Sequence, residues 1–344
     1  MLAKLPSILN KFQITGEFLD AAPIEIGHIN ATYQVTLQDG PNKSLYVLQK
    51  INTQIFKNPL EVMHNIANIG HFLTKKSYPR KVLLPIESFE NKYVLKIAND
   101  YWRLYPFIQN TITYNQVDTT EQAYAAAFAF GEYANYLHDF EVTSLHTTIP
   151  NFHNTNLRYQ QFLKAIKDGV GERKKKAEVA INQLLNYKYL LNKIKQTKLP
   201  LRVTHNDTKI NNILFDKISG AAVCVIDLDT LMPDTLLFDY GDMVRTFTPA
   251  LDENSDDFKQ IYVRKEMLNA LTEGYLAGLD GKLTALEKEL LMYGGKLTIF
   301  EQALRFLTDY LQGDVYYKVA KEEQNLIRTK NQICLLESLM DIDG

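Results

Sequence analysis

HNDTKINN at residues 205–212 and IDLD at residues 226–229 are the two segments that say most about the fold. The first has the spacing H-x-D-x-x-x-x-N, and Asp227 in the second ends an apolar run twenty residues after Asp207. A further apolar run, Ile213-Leu214-Phe215, lies where a strand would separate the two. This order is typical of phosphoryl-transfer enzymes with a kinase-type catalytic loop. A P-loop is excluded, because the sequence contains no G-x-x-x-x-G-K-[ST].

Each polar residue of these two stretches suits one part of such a reaction. Asp207 carries the carboxylate that orients a hydroxyl nucleophile and accepts its proton. Asn212 and Asp227 offer amide and carboxylate oxygens, so they are predicted to hold Mg²⁺ on a nucleoside triphosphate. Lys209 is predicted to offset charge on the transferred phosphoryl group, with a plain surface lysine as the alternative left open. His205 is expected to brace the loop.

Composition and charge exclude several other classes of protein. Among 344 residues, 38 Lys and Arg stand against 40 Asp and Glu, which argues against a nucleic-acid binder that neutralises phosphates. Two cysteines cannot build a disulfide framework. No apolar run approaches the roughly 18 residues of a membrane span, and the first residues lack a secretory signal pattern. We therefore expect a cytoplasmic protein with no membrane or nucleic-acid partner; its oligomeric state stays open.

The hydrophobic pattern changes from strand-like to helical along the chain. Strand patterns in the first hundred residues cover Thr32–Leu37, Leu45–Ile51, Val82–Phe89, Tyr93–Ile97 and Tyr101–Phe107. Asp39-Gly40 joins the first two as an antiparallel hairpin, and Pro59–Leu73 has helical spacing. After Pro106 helical patterns dominate. The sequence predicts an α+β, bilobal fold: residues 1–106 form a small antiparallel sheet lobe with one helix that binds nucleotide, and residues 107–344 form a larger helical lobe for catalysis and acceptor binding.

As a whole the sequence resembles the aminoglycoside phosphotransferase and choline kinase superfamily, which has a protein-kinase-like fold. The helix FGEYANYLHDF (Phe130–Phe140) and Asp239-Tyr240-Gly241-Asp242 resemble two of its elements. Within the superfamily the chain is most similar to the N-acetylhexosamine 1-kinase group, also labelled mucin-desulfatase-like. Six segments carry that likeness, in the right order: GHINATY (Gly27–Tyr33), VLQKIN (Val47–Asn52), WRLYPFI (Trp102–Ile108), HNDTKINNILFD (His205–Asp216), CVIDLDT (Cys224–Thr230) and RFLTDYLQGDVYY (Arg305–Tyr317).

The third strand of the small lobe supplies candidates for contact with the nucleotide. Strand alternation places Leu48 and Lys50 on one face, which predicts Leu48 against adenine and Lys50 at the phosphates. Gln49, on the other face, stays open as the alternative phosphate contact. Trp102–Ile108 resembles the segment between the lobes of the similar kinases, so Tyr105 and Phe107 are also predicted to contact the nucleotide.

The resemblance also implies an acceptor site. In the similar sugar kinases the His of G-H-I-N contacts the sugar, which implies this role for His28. The C-terminal segment supplies an Arg and a Tyr in those enzymes, which points to Arg305, Tyr316 and Tyr317 here, beside Asp207. Such a set suits a neutral sugar, because it offers hydrogen bonds for the hydroxyls and a flat apolar face for the ring.

The sequence therefore predicts an ATP- and Mg²⁺-dependent kinase that phosphorylates the C1 hydroxyl of N-acetylglucosamine or N-acetylgalactosamine to give the sugar 1-phosphate. The first alternative is a kinase of the same fold that acts on an aminoglycoside, choline or homoserine. Cationic acceptors of that kind call for a strongly acidic pocket, which the combination of Arg305 with tyrosines does not favour. The second alternative is a silent nucleotide-binding module, against which the competent residue types at Asp207, Asn212 and Asp227 count.

Overall fold

The computed structural model describes residues 4–24, 29–169, 171–195 and 197–343, which form two compact units. The first unit contains residues 1–112, 139–150 and 214–233, and the second contains residues 113–138, 151–213 and 234–344. Both units are therefore discontinuous in the sequence. The division into functional lobes at residues 106 and 107 stays a prediction.

A five-stranded antiparallel sheet forms most of the first unit. Its strands are β1 (Glu17–Pro23), β2 (Ala31–Asp39), β3 (Asn42–Ile51), β4 (Leu95–Ile97) and β5 (Asp100–Pro106), in the order β1-β2-β3-β5-β4. The register of β2 and β3 runs from Ala31 opposite Lys50 to Asp39 opposite Asn42, so the predicted hairpin is confirmed. Its turn contains Gly40 at φ +56°, a left-handed conformation that glycine adopts without strain.

Helices cover both faces of this sheet. On one face, α1 (Leu5–Leu9) packs with Leu48, Trp102 and Leu104 in the main apolar core of the sheet. On the other face lies α2 (Pro59–Lys75), which confirms the predicted helix; its Met63 Sδ contacts the Arg103 side chain of β5. The unit is completed by the short strands β6 (Thr111–Ile112), β8 (Ile213–Asp216), β9 (Ala222–Val225) and β10 (Met232–Asp234).

The strand predicted over Val82–Phe89 is wrong. This segment has no regular ladder; Ser88 forms an isolated bridge with Phe12, and the Ile86 N–H donates to the Leu104 carbonyl. Pro85 lies at its centre and has no N–H to donate, so a continuous ladder cannot run through it. The apolar pattern reflects burial along an irregular path instead.

Nine helices account for most of the described part of the second unit. They are α3 (Thr120–Tyr136), α4 (Thr155–Asp168), α5 (Glu172–Lys176), α6 (Glu178–Asn186), α7 (Leu190–Lys195), α8 (Leu236–Phe247), α9 (Lys265–Leu279), α10 (Ala285–Leu311) and α11 (Gln324–Asp343), with the strand β7 (Arg202–Thr204). The long helix α10 begins at a capping box, in which Thr284 and Glu287 bond each other's backbone N–H groups. It packs against α4, α8 and α11.

Glycines allow two pairs of these helices to approach closely. A Cβ at Gly241 of α8 would lie 2.5 Å from the Gly294 carbonyl oxygen of α10, and one at Gly131 of α3 would lie 2.5 Å from the Tyr275 carbonyl oxygen of α9. A side chain at either position would force the backbones apart. The first contact matters for the candidate site, because α8 carries Asp239.

The predicted α+β class, with an antiparallel sheet in the N-terminal part and helices dominating the C-terminal part, is confirmed. None of the helices in the described ranges combines the length and the apolar character that crossing a bilayer requires.

Candidate functional site

The loop around Asp207 is closed by hydrogen bonds within the predicted motif. Asn212 Nδ2 donates to the Asp207 carbonyl oxygen at 2.8 Å and to Asp207 Oδ2 at 3.0 Å. The other carboxylate oxygen, Oδ1, lies 3.0 Å from Lys209 Nζ. The five-residue spacing thus returns Asn212 to the carboxylate through the turn Ile210–Asn212. Because its nitrogen faces Asp207, the amide oxygen of Asn212 is directed away from it.

A buried carboxylate on α8 fixes the start of this loop. The two oxygens of Asp239 accept the backbone N–H groups of His205, at 3.0 Å, and Asn206, at 2.7 Å. The Thr208 hydroxyl donates to the Asp239 carbonyl oxygen at 2.6 Å. Asn206 has φ +63°, a conformation that few residues other than Gly, Asn and Asp adopt. Burial raises the pKa of Asp239 to about 6, so the carboxylate is ionised at neutral pH.

His205 supports the loop from inside, as expected. Its side chain is buried, its Nδ1 accepts the Asp207 N–H at 3.3 Å, and its ring meets the Phe130 ring edge-on at 5.3 Å between centroids. The Phe130–Phe140 segment therefore contacts the loop through its first aromatic residue.

The electrostatics of the loop keep Asp207 ionised. Burial raises the pKa of Asp207, but the Lys209 charge, His205 and the hydrogen bonds from Lys209 and Asn212 outweigh it and leave that pKa below its ordinary value. In return, the Asp207 charge holds the pKa of Lys209 above its usual range. A carboxylate in this state accepts a hydrogen bond from an incoming hydroxyl without first losing a proton.

Replacing Lys209 by Met tests this balance. We expect the pKa of Asp207 to rise clearly, because burial then acts against a weaker set of stabilising partners. The loss of ionised Asp207 on acidification would thus begin at higher pH than in the wild type. A ¹³C NMR titration of the Asp207 carboxyl measures the change, with Lys321→Met as control, because Lys321 pairs with Asp256 at the surface. If the titration midpoint of the Asp207 carboxyl is the same in wild type and Lys209→Met, then Lys209 does not lower the pKa of Asp207.

The second candidate metal ligand, Asp227, lies in the first unit. It follows β9, is exposed, and has φ +57° at the start of the turn Leu228–Thr230. An exposed carboxylate here and the amide oxygen of Asn212 are hard donors that fit Mg²⁺. Asp227 belongs to the first unit and Asn212 to the second. That the two residues together hold a metal ion stays a prediction.

The residues predicted to contact the nucleotide are placed as follows in the first unit. Leu48 is fully buried in the sheet core on the α1 face. Lys50 lies on the same face and pairs with Asp100 at 3.5 Å. Tyr105 is buried on the opposite face, where the Arg103 guanidinium stacks 5.3 Å from its ring centroid. The Phe107 N–H donates to the Leu45 carbonyl oxygen and is therefore engaged within the unit.

This arrangement bears on the choice between Gln49 and Lys50. Alternation correctly placed Leu48 and Lys50 together, but their face is the one that α1 covers. Gln49 lies on the other face and accepts a hydrogen bond from Arg103 Nε at 2.9 Å. The face of the sheet that carries Gln49 is therefore more polar than the face that carries Leu48. The nucleotide contacts of Leu48, Lys50, Tyr105 and Phe107 stay predictions.

The predicted acceptor residues of the C-terminal segment come together in the second unit. The Arg305 guanidinium lies 5.7 Å from the Tyr317 ring centroid, 6.0 Å from that of Tyr316 and 5.8 Å from that of Phe152. Among its described contacts, one hydrogen bond leads to Gln302 Oε1, at 3.2 Å. The cluster offers guanidinium N–H groups beside aromatic faces. His28, the remaining predicted sugar contact, lies outside the described residues.

One buried carboxylate shapes the segment that carries both tyrosines. Asp309 accepts the backbone N–H groups of Val315, Tyr316 and Tyr317 at 2.8–3.0 Å, and Asn325 Nδ2 donates to it at 2.9 Å. This explains the first Asp in RFLTDYLQGDVYY, whose role the sequence did not reveal: it turns the chain back so that Tyr316 and Tyr317 meet Arg305.

A second buried pair connects α10 with the loop. His153 Nδ1 lies 3.1 Å from Glu301 Oε1, its Nε2 lies 3.5 Å from the Asn206 carbonyl oxygen, and its ring stacks on Phe238. Burial lowers the pKa of His153, but Glu301 outweighs it and raises that pKa, so the charged pair is favoured. Glu301 is one helical turn before Arg305. The His153–Glu301 pair therefore lies between the aromatic cluster around Arg305 and the loop that carries Asp207.

Sequence reasoning also missed the pairing of Asp242 with Arg245. Arg245 Nε and Nη2 both donate to Asp242 Oδ1, and Arg245 Nη1 donates to Glu253 at 3.0 Å. Asp242 Oδ2 is buried and has no hydrogen-bond partner within the described ranges. Buried polar atoms are rarely left unsatisfied, and this oxygen is one of the exceptions among the described residues. The acidic element Asp239–Asp242 was visible in the sequence, but not this division of roles.

Comparison with known proteins agrees with this architecture. Residues 20–276 match the family model described as phosphotransferase enzyme family. A spectinomycin phosphotransferase, solved with ADP and spectinomycin, aligns at 15% identity over 97% of both chains, with a TM-score of 0.61. A microcompartment-associated aminopropanol kinase aligns at 14% identity over 100% of this chain and 99% of that one, with a TM-score of 0.65.

A choline/ethanolamine kinase family protein from Mesorhizobium loti aligns at 14% identity over 99% of this chain and 92% of that one, with a TM-score of 0.56. At such low identities these likenesses show the fold alone. They confirm the predicted protein-kinase-like arrangement of sheet and helices.

Proposed function

The chain belongs to the phosphotransferase enzyme family, and we propose that it transfers the γ-phosphoryl group of ATP to the anomeric hydroxyl of an N-acetylhexosamine. Membership confirms the predicted superfamily and supports a phosphotransferase that acts on small-molecule hydroxyls. The N-acetylhexosamine acceptor is the part we add, from the resemblance of the sequence and from the chemistry of the second unit. ADP in a spectinomycin phosphotransferase and in a further aminoglycoside phosphotransferase of this fold supports nucleotide as the donor.

The observation that carries the proposal is the closed loop of Asp207, Lys209 and Asn212. Asp207 is held ionised, with one oxygen beside Lys209 and one beside Asn212. In the proposed reaction the sugar O1 bonds to the γ-phosphorus, the bond from that phosphorus to the β–γ bridging oxygen breaks, and the O1 proton passes to the Asp207 carboxylate. The products are ADP and the sugar 1-phosphate. Lys209 Nζ stabilises charge on the transferred group.

Mg²⁺ fits the donor set of Asn212 and Asp227, which would hold it, and it would neutralise charge on the phosphate oxygens. The protein's own contribution is to keep the amide oxygen of Asn212 turned away from Asp207. Because Asn212 Nδ2 is committed to Asp207, the two ends of its amide serve the base and the metal separately.

A neutral acceptor suits the charges of the second unit better than a cationic one. Four carboxylates in this region have a cationic partner: Asp207 has Lys209, Asp242 and Glu253 share Arg245, and Glu301 has His153. Asp239 and Asp309 are occupied by backbone N–H groups instead. An acceptor ammonium group would compete with these cations and meet Arg305. Sugar hydroxyls can instead bond the Arg305 guanidinium while the ring stacks on a tyrosine.

An acceptor panel tests the proposal. ADP release would be measured with N-acetylglucosamine, N-acetylgalactosamine, glucose, choline, homoserine, aminopropanol and spectinomycin. We expect kcat/KM for an N-acetylhexosamine to exceed that for each amine by at least about 100-fold, the size of discrimination that unpaired or mispaired polar groups in a site produce.

The matched control acceptor is the methyl glycoside of N-acetylglucosamine, in which the anomeric oxygen carries no proton. If the sugar attacks through O1, adding the methyl glycoside should release no ADP beyond the rate without acceptor. If an amine is the preferred acceptor, the protein is instead a kinase of the same fold that acts on a substrate such as an aminoglycoside, choline or homoserine. ADP formation with none of the acceptors would favour the silent nucleotide-binding module.

A further inference from the structure

Kinases of this general type position their metal and phosphates with a strand lysine paired to a helix carboxylate. In the first unit, the lysine of β3 and the glutamate of α2 have other partners. Lys50 of β3 lies on the α1 face with Asp100, and Glu61 of α2 is partly exposed, with Oε1 4.0 Å from His146 Nδ1. On the polar face of the sheet, Met63 of α2 contacts Arg103.

Arg103 and Asp229 form a buried ion pair on this face. Arg103 Nη1 donates to Asp229 Oδ1 and Arg103 Nη2 donates to Asp229 Oδ2, the latter at 3.0 Å, and both side chains are 2% exposed. Arg103 Nε donates to Gln49 Oε1 at 2.9 Å. The guanidinium is therefore used on both of its edges, by a residue of β3 and by a carboxylate that follows β9.

Asp229 is bound from further directions. Asn30 Nδ2 donates to its Oδ2 at 2.7 Å, and the Asn30 amide oxygen accepts the Asn52 N–H at 2.9 Å. The Thr148 hydroxyl donates to the Asp229 carbonyl oxygen at 3.1 Å. Side chain and backbone of Asp229 are thus both fixed, and the turn Leu228–Thr230 has little freedom to move.

Asp227 stands two residues before this anchored position, exposed and with φ +57°. Asp229 cannot approach a metal without breaking its bonds to Arg103 and Asn30, whereas Asp227, at the start of the same turn, is exposed. We propose that Arg103 is a positioning residue: by clamping Asp229 it fixes the turn that presents Asp227 to the metal of a bound nucleotide. This inference rests on the proposed function and explains why a charged residue stands at the second position of WRLYPFI.

The test is the binding of ADP, with Mg²⁺ and with EDTA, to full-length wild type and Arg103→Lys by calorimetry. Lysine keeps the charge but loses the two-pronged bond and the contact with Gln49. We expect Mg²⁺–ADP affinity to fall by about 10-fold or more, the effect of losing an outer partner of a metal ligand, while ADP affinity in EDTA changes little. Thr148→Val, a smaller change, should weaken Mg²⁺–ADP binding by about 3-fold, the equivalent of one neutral hydrogen bond.

Arg202→Lys is the matched control. Arg202 donates through Nε and Nη2 to both oxygens of the buried Glu287 in the second unit, at 3.1 and 3.0 Å. We expect it to lower the melting temperature without changing Mg²⁺–ADP affinity. If Arg103→Lys also changes stability alone, or weakens ADP equally with and without Mg²⁺, the positioning role is wrong. If wild type binds no Mg²⁺–ADP, the proposed kinase function fails instead.

Discussion

Asp207→Asn is expected to lower turnover with the preferred acceptor by roughly 10²–10⁴-fold, the usual contribution of a positioned general base. The amide keeps the size of the side chain and an oxygen for Asn212 Nδ2, so the loop should stay closed. It cannot accept the proton of the attacking hydroxyl, and it no longer has the charge that pairs with Lys209. Steady-state ADP release at saturating ATP and acceptor measures the loss.

Nucleotide binding is the control for this variant. Calorimetric affinity for Mg²⁺–ADP should change little, since in the proposed reaction Asp207 contacts the acceptor rather than the nucleotide. Asp256→Asn, which removes a surface carboxylate paired with Lys321, should turn over like wild type. Turnover of Asp207→Asn within a few-fold of wild type would remove Asp207 from the mechanism.

Asp227→Ala is expected to impair the binding of Mg²⁺–nucleotide rather than the proton transfer. If Asp227 binds the metal directly, as proposed, its removal should weaken Mg²⁺–nucleotide binding by more than the roughly 10–100-fold that changes to outer partners produce. The turn itself should persist, because Arg103, Asn30 and Thr148 hold it through Asp229. The Mg²⁺ concentration for half-maximal activity and the calorimetric affinity for Mg²⁺–ADP both report the change.

Asp216→Ala serves as the comparison, because Asp216 is a turn carboxylate of the first unit that bonds the Ile218 and Ser219 N–H groups. Its Mg²⁺ dependence should match that of wild type. If Asp227→Ala shows the same Mg²⁺ dependence as Asp216→Ala, then Asp227 does not hold the metal.

The parts of the site that the sequence predicted are local in the chain. Asn212 lies five positions from Asp207, so a single turn brings the amide back to the carboxylate, and the motif spacing contains that information. The hairpin of β2 and β3 is local in the same sense, since Asp39-Gly40 determines its turn. These elements could be predicted because their partners are near in sequence.

The parts that could not be predicted depend on distant residues. Arg103 and Asp229 are 126 positions apart, and their pairing follows from the packing of β5 beside the turn after β9. Strand alternation showed that Leu48 and Lys50 share a face, but it could not show that α1 covers that face. A charged residue inside an apolar strand, such as Arg103, was the available signal of a buried partner.

The C-terminal segment Arg305–Tyr317 also depends on contacts that the sequence does not reveal. The resemblance identified Arg305, Tyr316 and Tyr317, and the structure brings them together. It also shows the cause, which the sequence alone did not: Asp309 bonds three successive N–H groups and bends the chain back toward α10. Roles of this kind depend on backbone groups, which carry no signature in the sequence.

Phosphorus NMR of the product tests the central claim most directly. Wild type incubated with Mg²⁺, ATP and N-acetylglucosamine should form a phosphomonoester whose phosphorus couples to the anomeric proton, and Asp207→Asn should form it at least about 100 times more slowly. Phosphate attached to another carbon of the sugar, or equal rates for the two proteins, would contradict the account.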